Sequence, residues 1–204
     1  MIKAISYIDS RNIYHSIEDL KLDPLGFNYK GLAEHLATNG GQYLKNVTTK
    51  LYGARFPAKL DVARHNRDDA FYRHIESTGI KVYYGHFKVN GGRAIEKGVD
   101  VRLATDLIVD GFYQNYTHAY VFSSDTDLIP AIEASVKRSG VKILVCLNND
   151  KRHLKDEFTK VGAQVLFLGK ALMAQFATNT AVKPTTASLN DLVIKKDFNK
   201  FSKK

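Results

Sequence analysis

Short runs rich in β-branched and aromatic residues alternate with segments of helical periodicity from one end of the sequence to the other. That alternation leaves few folds open. Strands that follow one another through helices pair in parallel, and a parallel sheet has to be covered on both faces. The strands read as Ile2 to Ile8, Val47 to Tyr52, Lys81 to Phe87, His118 to Phe122, Val141 to Leu147 and Gln164 to Leu168. Helical periodicity spans Asn12 to Leu20, Tyr29 to Ala37, Lys59 to Thr78, Val101 to Tyr116, Leu128 to Ser139 and Lys155 to Val161. Gly40 and Gly41, Gly79, Gly140 and Gly162 each stand just past a helix and just before a strand, where a left-handed residue ends a helix. The expectation is an α/β protein: three α/β/α layers, Rossmann-like, around a mostly parallel central sheet.

The chain of 204 residues is long enough for one well-buried domain and short for two. One domain is expected over residues 1–177. Residues 178–204, with Lys195, Lys196, Lys203 and Lys204, read as a basic, loosely held tail in which Asp191 to Ile194 forms at most one short element. A net charge of +9 points to nucleic-acid phosphates or an anionic membrane surface as partner. No apolar run approaches the roughly 18 residues that span a bilayer, and the first strand leads into Asp9 rather than a signal segment, so a soluble cytoplasmic protein is expected, with no membrane partner. The single cysteine, Cys146, sits in an apolar run and reads as a core thiol, which excludes disulfide and cysteine–zinc chemistry. The histidines show no metalloprotease spacing; His86, at a strand end, reads as partly buried. No glycine-rich phosphate loop follows the first strand, and Asn90-Gly91-Gly92-Arg93 reads as a hairpin or loop tip.

In an open parallel sheet, ligands bind beyond the carboxyl ends of the strands. Aspartates stand at two such ends. The first strand delivers Asp9, with Asn12 on the opening turn of the helix behind it, and Tyr120-Val121-Phe122 runs through Ser123 and Ser124 into Asp125 and Asp127. Either aspartate alone would serve as a helix cap. Two or three carboxylates brought to one edge repel one another unless a cation neutralises them, and a metal ion resolves that. A third piece, Glu96-Lys97-Gly98-Val99-Asp100, places Asp100 in the first turn of a helix. Asp106, about 120° further round that helix, is a candidate to support the ligands, and Asp110 reads as solvent-facing.

Three of these stretches together resemble a known family. Tyr7-Ile8-Asp9-Ser10-Arg11-Asn12-Ile13, Lys97-Gly98-Val99-Asp100-Val101-Arg102-Leu103-Ala104-Thr105-Asp106 and Ser123-Ser124-Asp125-Thr126-Asp127-Leu128-Ile129-Pro130 are similar, in this order, to the motifs of the NYN domains, specifically the LabA-like group, within the wider PIN-like nuclease fold. The resemblance spans about Ile2 to Leu168. It implies a metal-dependent ribonuclease site in which Asp9, Asp100 and Asp125, joined by Asp127, hold Mg²⁺ or Mn²⁺. It further implies that Asn12 orients the cluster and that Lys97 meets a phosphate. Two departures stand out: Ser124 occupies a position commonly glycine, and Arg11 adds a cation where small residues are usual.

Hard carboxylate oxygens suit Mg²⁺ or Mn²⁺, which take one or two carboxylates together with water and substrate phosphate oxygens. Arg11, Arg93, Lys97 and Arg102 are the expected phosphate contacts on RNA, with Ser123 and Ser124 supporting the ligands. Arg64, Arg67 and Arg73 share a helix with Asp61, Asp68, Asp69 and Glu76 and read as an ion-paired face, and Tyr83 and Tyr84 read as buried strand residues. Two alternatives stand beside the ribonuclease: an RNA-binding module of this family with little or no catalytic activity, and a phosphatase or phosphotransferase of the haloacid-dehalogenase kind. The second lacks its acid two residues after the first, since Arg11 stands there.

Overall fold

The structure, a computed structural model, describes residues 3–39, 47–91, 93–138 and 140–177. Its strands are β1 (Ala4–Asp9), β2 (Val47–Gly53), β3 (Lys81–Tyr84), β4 (His86–Asn90), β5 (Arg93–Lys97), β6 (His118–Phe122), β7 (Lys142–Asn148) and β8 (Gln164–Leu168). Its α-helices are α1 (Ser10–Asp19), α2 (Tyr29–Asn39), α3 (Val62–Ser77), α4 (Val99–Phe112), α5 (Ile129–Val136), α6 (Lys155–Lys160) and α7 (Lys170–Met173). Six strands form one sheet in the order β3-β2-β1-β6-β7-β8, and every neighbouring pair is parallel. The chain builds outward from β1 in one direction and then restarts at β6 on its other side. That reversal opens a crevice at the carboxyl ends of β1 and β6.

The central strand shows why both faces are covered. All six residues of β1 are buried, as expected of a parallel strand with helices on either side. Ala4 and Ile8 join one core with Ile13 and Ile17 of α1, Leu32 of α2, Phe71 and Ile75 of α3, and Met173 of α7. Ile5 and Tyr7 join the other with Val99, Leu103 and Leu107 of α4, Ile132 of α5 and Phe158 of α6. Helices therefore form the outer two of three layers. Gly79, Gly140 and Gly162 take the left-handed conformation expected of them, at φ 86°, 78° and 87°. Gly40, Gly41, Ile2, Ser139 and the segment 178–204, with Asp191 to Ile194, lie outside the described residues. Among those that are described, no helix is long and apolar enough to cross a membrane. Cys146 is buried, and desolvation raises its thiol far above the usual range.

Three readings are corrected. The run Lys81 to Phe87 is two strands, not one: β3 stops at Tyr84, and His86 opens a separate antiparallel ribbon with β5. Gly85 makes the break. Its N–H donates to the Gly53 carbonyl at 2.9 Å, and a Cβ there would lie 2.6 Å from the Lys97 carbonyl oxygen. His86, expected to be partly buried, is exposed at the foot of this ribbon. Asp110, expected to face solvent, is buried at 8% exposure and accepts from the Tyr7 hydroxyl at 2.7 Å, Asn115 Nδ2 at 3.0 Å and the Lys50 ammonium. Burial opposes its ionisation, but these three donors hold its carboxyl below the usual range.

Candidate active site

Asp9 is the last residue of β1, and its two oxygens are committed to different elements. Oδ1 accepts from the N–H groups of Arg11 and Asn12, both at 3.1 Å, and so caps α1. Oδ2 accepts from the Ser123 hydroxyl at 3.2 Å. Ser123 directly follows β6, so this bond crosses the crevice where the strand order reverses. A second bridge runs parallel to it: Asn12 Oδ1 accepts from the Ser124 N–H at 3.0 Å and from the Ser124 hydroxyl at 2.9 Å. The turn continues with the Asp125 N–H donating to Ser123 Oγ at 3.1 Å, and Asp125 Oδ1 accepting the Asp127 N–H at 2.9 Å. Asp125 is half-buried and Asp127 is exposed. The structure thus brings Asp9, Asn12, Ser123, Ser124 and Asp125 into one bonded unit.

The third motif arrives from the ribbon. Gly98, at φ 82°, turns the end of β5 into α4, whose first turn carries the exposed Asp100. Its charge reaches Asp9. Burial first, and then the Asp100 and Glu96 charges, push the Asp9 carboxyl up to about 7, against the opposing hydrogen bonds from Asn12 and Ser123. Glu96 is raised as well, by burial and by Asp100, while Arg11 opposes the shift with Nη2 3.7 Å from Glu96 Oε2. The Asp100 charge therefore raises both Asp9 and Glu96, and Glu96 adds to the shift at Asp9.

Sequence reasoning missed Glu96. A signal was present: Phe87, Val89 and Ala94 mark the inward face of an alternating ribbon, and Glu96 falls on that same face, opposite Phe87. An acid at an inward position is the exception that marks it.

The remaining candidates stand further out. Arg102 Nε lies 3.2 Å from Asp106 Oδ1, and Asp106 Oδ2 accepts from the Tyr52 hydroxyl at 3.0 Å, so Asp106 is bound to β2 and to its own helix. Arg93 and Lys97 are exposed on the ribbon. On α3, Arg73 pairs with Asp69 at 2.7 Å, as an ion-paired face would, but Arg64 is buried with its guanidinium 3.6 Å from the Phe56 ring centroid. Tyr83 is half-buried and stacks on Tyr52 at 5.2 Å, whereas Tyr84 is 38% exposed beneath the Arg55 guanidinium.

The donor chemistry at this edge suits a hard divalent cation: every acid is a carboxylate, and their mutual repulsion is what such an ion would relieve. Among the described residues no three His, Cys, Asp or Glu side chains stand close enough to hold an ion together. The arrangement fits an ion that takes one or two carboxylates and completes its shell with water and substrate oxygen.

A crevice lined by aspartates at the reversal point of a three-layer, parallel α/β/α sheet places the chain in the Rossmann-like PIN/NYN fold class. The family model described as the NYN domain matches residues 3–168, and the chain belongs to that family. Among solved structures, a Vibrio parahaemolyticus protein titled as being of unknown function is similar at a TM-score of 0.60 and 18% identity, over 82% of this chain and 92% of its own. Likeness at that identity speaks to fold alone. No curated protein matches the sequence.

Proposed function

We propose that residues 1–177 form a divalent-metal-dependent ribonuclease domain that hydrolyses phosphodiester bonds at the Asp9 crevice. The observation that carries this reading is the paired bridge, Ser123 to Asp9 and Ser124 to Asn12, which ties the end of β1, with Asp9, to the turn after β6, with Asp125. Asp9 and Asp125 are the carboxylates that would touch Mg²⁺ or Mn²⁺, with Asp100 and Asp127 completing the site through metal-bound water. Such an ion, when bound, polarises a phosphate and lowers the pKa of a bound water.

The protein's own groups set the stage for that chemistry. Two backbone N–H groups and the Ser123 hydroxyl engage both oxygens of Asp9, which favours one orientation of its carboxylate. Asn12 fixes the following turn and with it the direction of Asp125. Arg11, Lys97 and Arg102 supply positive charge for substrate phosphates on the approach to the acids, with Arg93 further out on the ribbon. Arg11 is held by Glu96 at only 3.7 Å and partly exposed, a geometry that an incoming phosphate can compete for.

A second reading has one observation in its favour. Asp9 and Asp125 each spend an oxygen on capping, which is also what a binding module with a vestigial site would show. Incubation with single-stranded RNA, structured RNA and DNA in Mg²⁺, Mn²⁺ or chelator, with cleavage ends mapped, separates the two. Divalent-dependent cleavage of RNA that disappears in Asp9→Asn and Asp125→Asn supports the nuclease. Cleavage surviving both substitutions, or RNA binding without any cleavage, overturns it.

A further inference from the structure

The ribbon formed by β4 and β5 stands outside the six-stranded sheet, and its two feet are fixed to the crevice. One foot is Gly85, bonded to the end of β2 at Gly53; the other is Gly98, which opens α4 and leads to Asp100. Between them the ribbon has two unlike faces. Phe87, Val89, Ala94 and Glu96 are half-buried, with Phe87 against Phe56 at 5.4 Å between ring centroids and Glu96 beside Arg11. His86, Lys88, Asn90, Arg93, Ile95 and Lys97 are exposed, and the pairing of His86 with Lys97, Lys88 with Ile95 and Asn90 with Arg93 puts all six on one face.

That outer face holds Lys88, Arg93 and Lys97 and no acid. Among the described residues, some exposed cations elsewhere are matched, as Arg73 is to Asp69, Arg102 to Asp106 and Lys137 to Glu133, and others, such as Lys142 and Lys160, are not. The ribbon differs in gathering three on one acid-free face. Among the described residues none of the three ribbon cations has an ion-pair partner. Each also faces a neutral or weakly basic residue across the ribbon rather than an acid, although an opposite charge there would stabilise a two-stranded ribbon. Concentrated positive charge left unmatched beside an acidic crevice favours a polyanion whose backbone runs past that crevice.

We propose that the outer face of this ribbon docks the phosphate backbone of the RNA strand, with Lys88, Arg93 and Lys97 as its contacts. The inference rests on the nucleic-acid reading of the crevice and adds Lys88 and a defined surface to it. The contacts are to phosphates, so they position the strand without reading its sequence. Alternate residues of a strand lie about 7 Å apart, which spreads Lys97 at the foot, Lys88 midway and Arg93 at the tip along a line leading away from Asp100.

The test is equilibrium binding of a fluorescent single-stranded RNA to the full chain in chelator, where cleavage does not interfere, across a range of salt. Lys88→Glu with Arg93→Glu is compared with Lys142→Glu, an exposed site at the amino end of β7. The double variant is expected to bind on the order of tenfold or more weakly, with the slope of log K against log salt reduced by about 1 to 2. Lys142→Glu is expected to stay within about twofold of the unaltered chain. Equal affinity and slope in the double variant, an equal loss in Lys142→Glu, or ribbon-dependent binding of anionic lipid vesicles with RNA affinity unchanged each overturns the proposal. If the unaltered chain binds no RNA at all, both this inference and the nucleic-acid reading fall; if it binds but ignores the ribbon, only the inference does.

Discussion

Ser124 gives both of its donors to one atom, Oδ1 of Asn12, through its backbone N–H at 3.0 Å and its hydroxyl at 2.9 Å. A residue from α1 thereby sets the path of the chain after β6, and the position commonly held by glycine in this family carries a side chain that is used. Asn12→Ala removes the acceptor and leaves a half-buried N–H unpaired, which costs about 1–3 kcal/mol. The expected outcome is a melting temperature lowered by several degrees and Mn²⁺ affinity weakened about 10–100-fold, since residues that orient ligands have effects of that size. Thermal melts and a metal titration check both parts. Unchanged metal affinity would separate Asn12 from the site.

Asp9 makes stability fall as pH rises when no divalent ion is present. Its folded pKa of about 7 lies above its unfolded value of 3.8, so the native state binds the proton more tightly. The stabilisation is complete below about pH 4, is lost between about pH 4 and pH 7, and stays lost above that. Asp9→Asn keeps the cap and has no charge to bury. In chelator at pH 8 the variant is therefore expected to be the more stable of the two by on the order of a few kcal/mol, and the difference should vanish near pH 4. Urea unfolding at several pH values is the measurement.

Divalent cations are expected to act in the opposite direction. Mn²⁺ or Mg²⁺ binds the folded chain and not the unfolded one, so saturating metal raises the melting temperature of the unaltered protein. Asp9→Asn and Asp125→Asn should show much less of this rise, while Asp110→Asn, on the same helix as Asp100 but buried beside Lys50, should show all of it. A metal-induced rise of equal size in every variant would point to binding elsewhere.

Gly53 closes β2 against two hydroxyls. A Cβ there would lie 2.2 Å from Tyr72 Oη and 2.4 Å from Ser10 Oγ, both buried and bonded to each other at 3.2 Å. Gly53→Ala is expected to destabilise the fold by about 1–3 kcal/mol through overpacking, with Tyr72→Phe recovering part of the loss. Because Ser10 follows Asp9 directly, activity should fall by more than the unfolded fraction explains. Comparing unfolding free energy with the turnover of folded enzyme tests both.

Asp110→Ala leaves the Lys50 charge buried without its partner. The expected loss is about 3–5 kcal/mol, against a change within about 0.5 kcal/mol for a solvent-facing helix residue. Denaturant unfolding distinguishes the two directly.

Much of the fold and the crevice was legible because the signals there are local. Asp9, Asp100 and Asp125 each stand where a strand or ribbon meets a helix, and the alternation of runs was enough to predict a mostly parallel sheet, though not the order of its strands. The parts that were not legible depend on partners distant in sequence. Asp110 repeats at helical spacing like any exposed acid; only its bonds to Lys50 and Tyr7, from two different strands, bury it. The ribbon was hidden because β4 and β5 carry polar residues at every second position and are short, so their alternation merges with that of β3. Gly85 marks the break, but its meaning lies in the approach of Lys97, twelve residues on.

The ribbon leaves the sheet at Gly85 and ends at Gly98, where α4 begins, without contributing a strand to the central layer. It can therefore lengthen, shorten or change its charges while the strands that present Asp9 and Asp125 keep their register. On the proposed function, docking of the strand and breaking of the bond would then be housed in separate pieces of chain, free to diverge at different speeds.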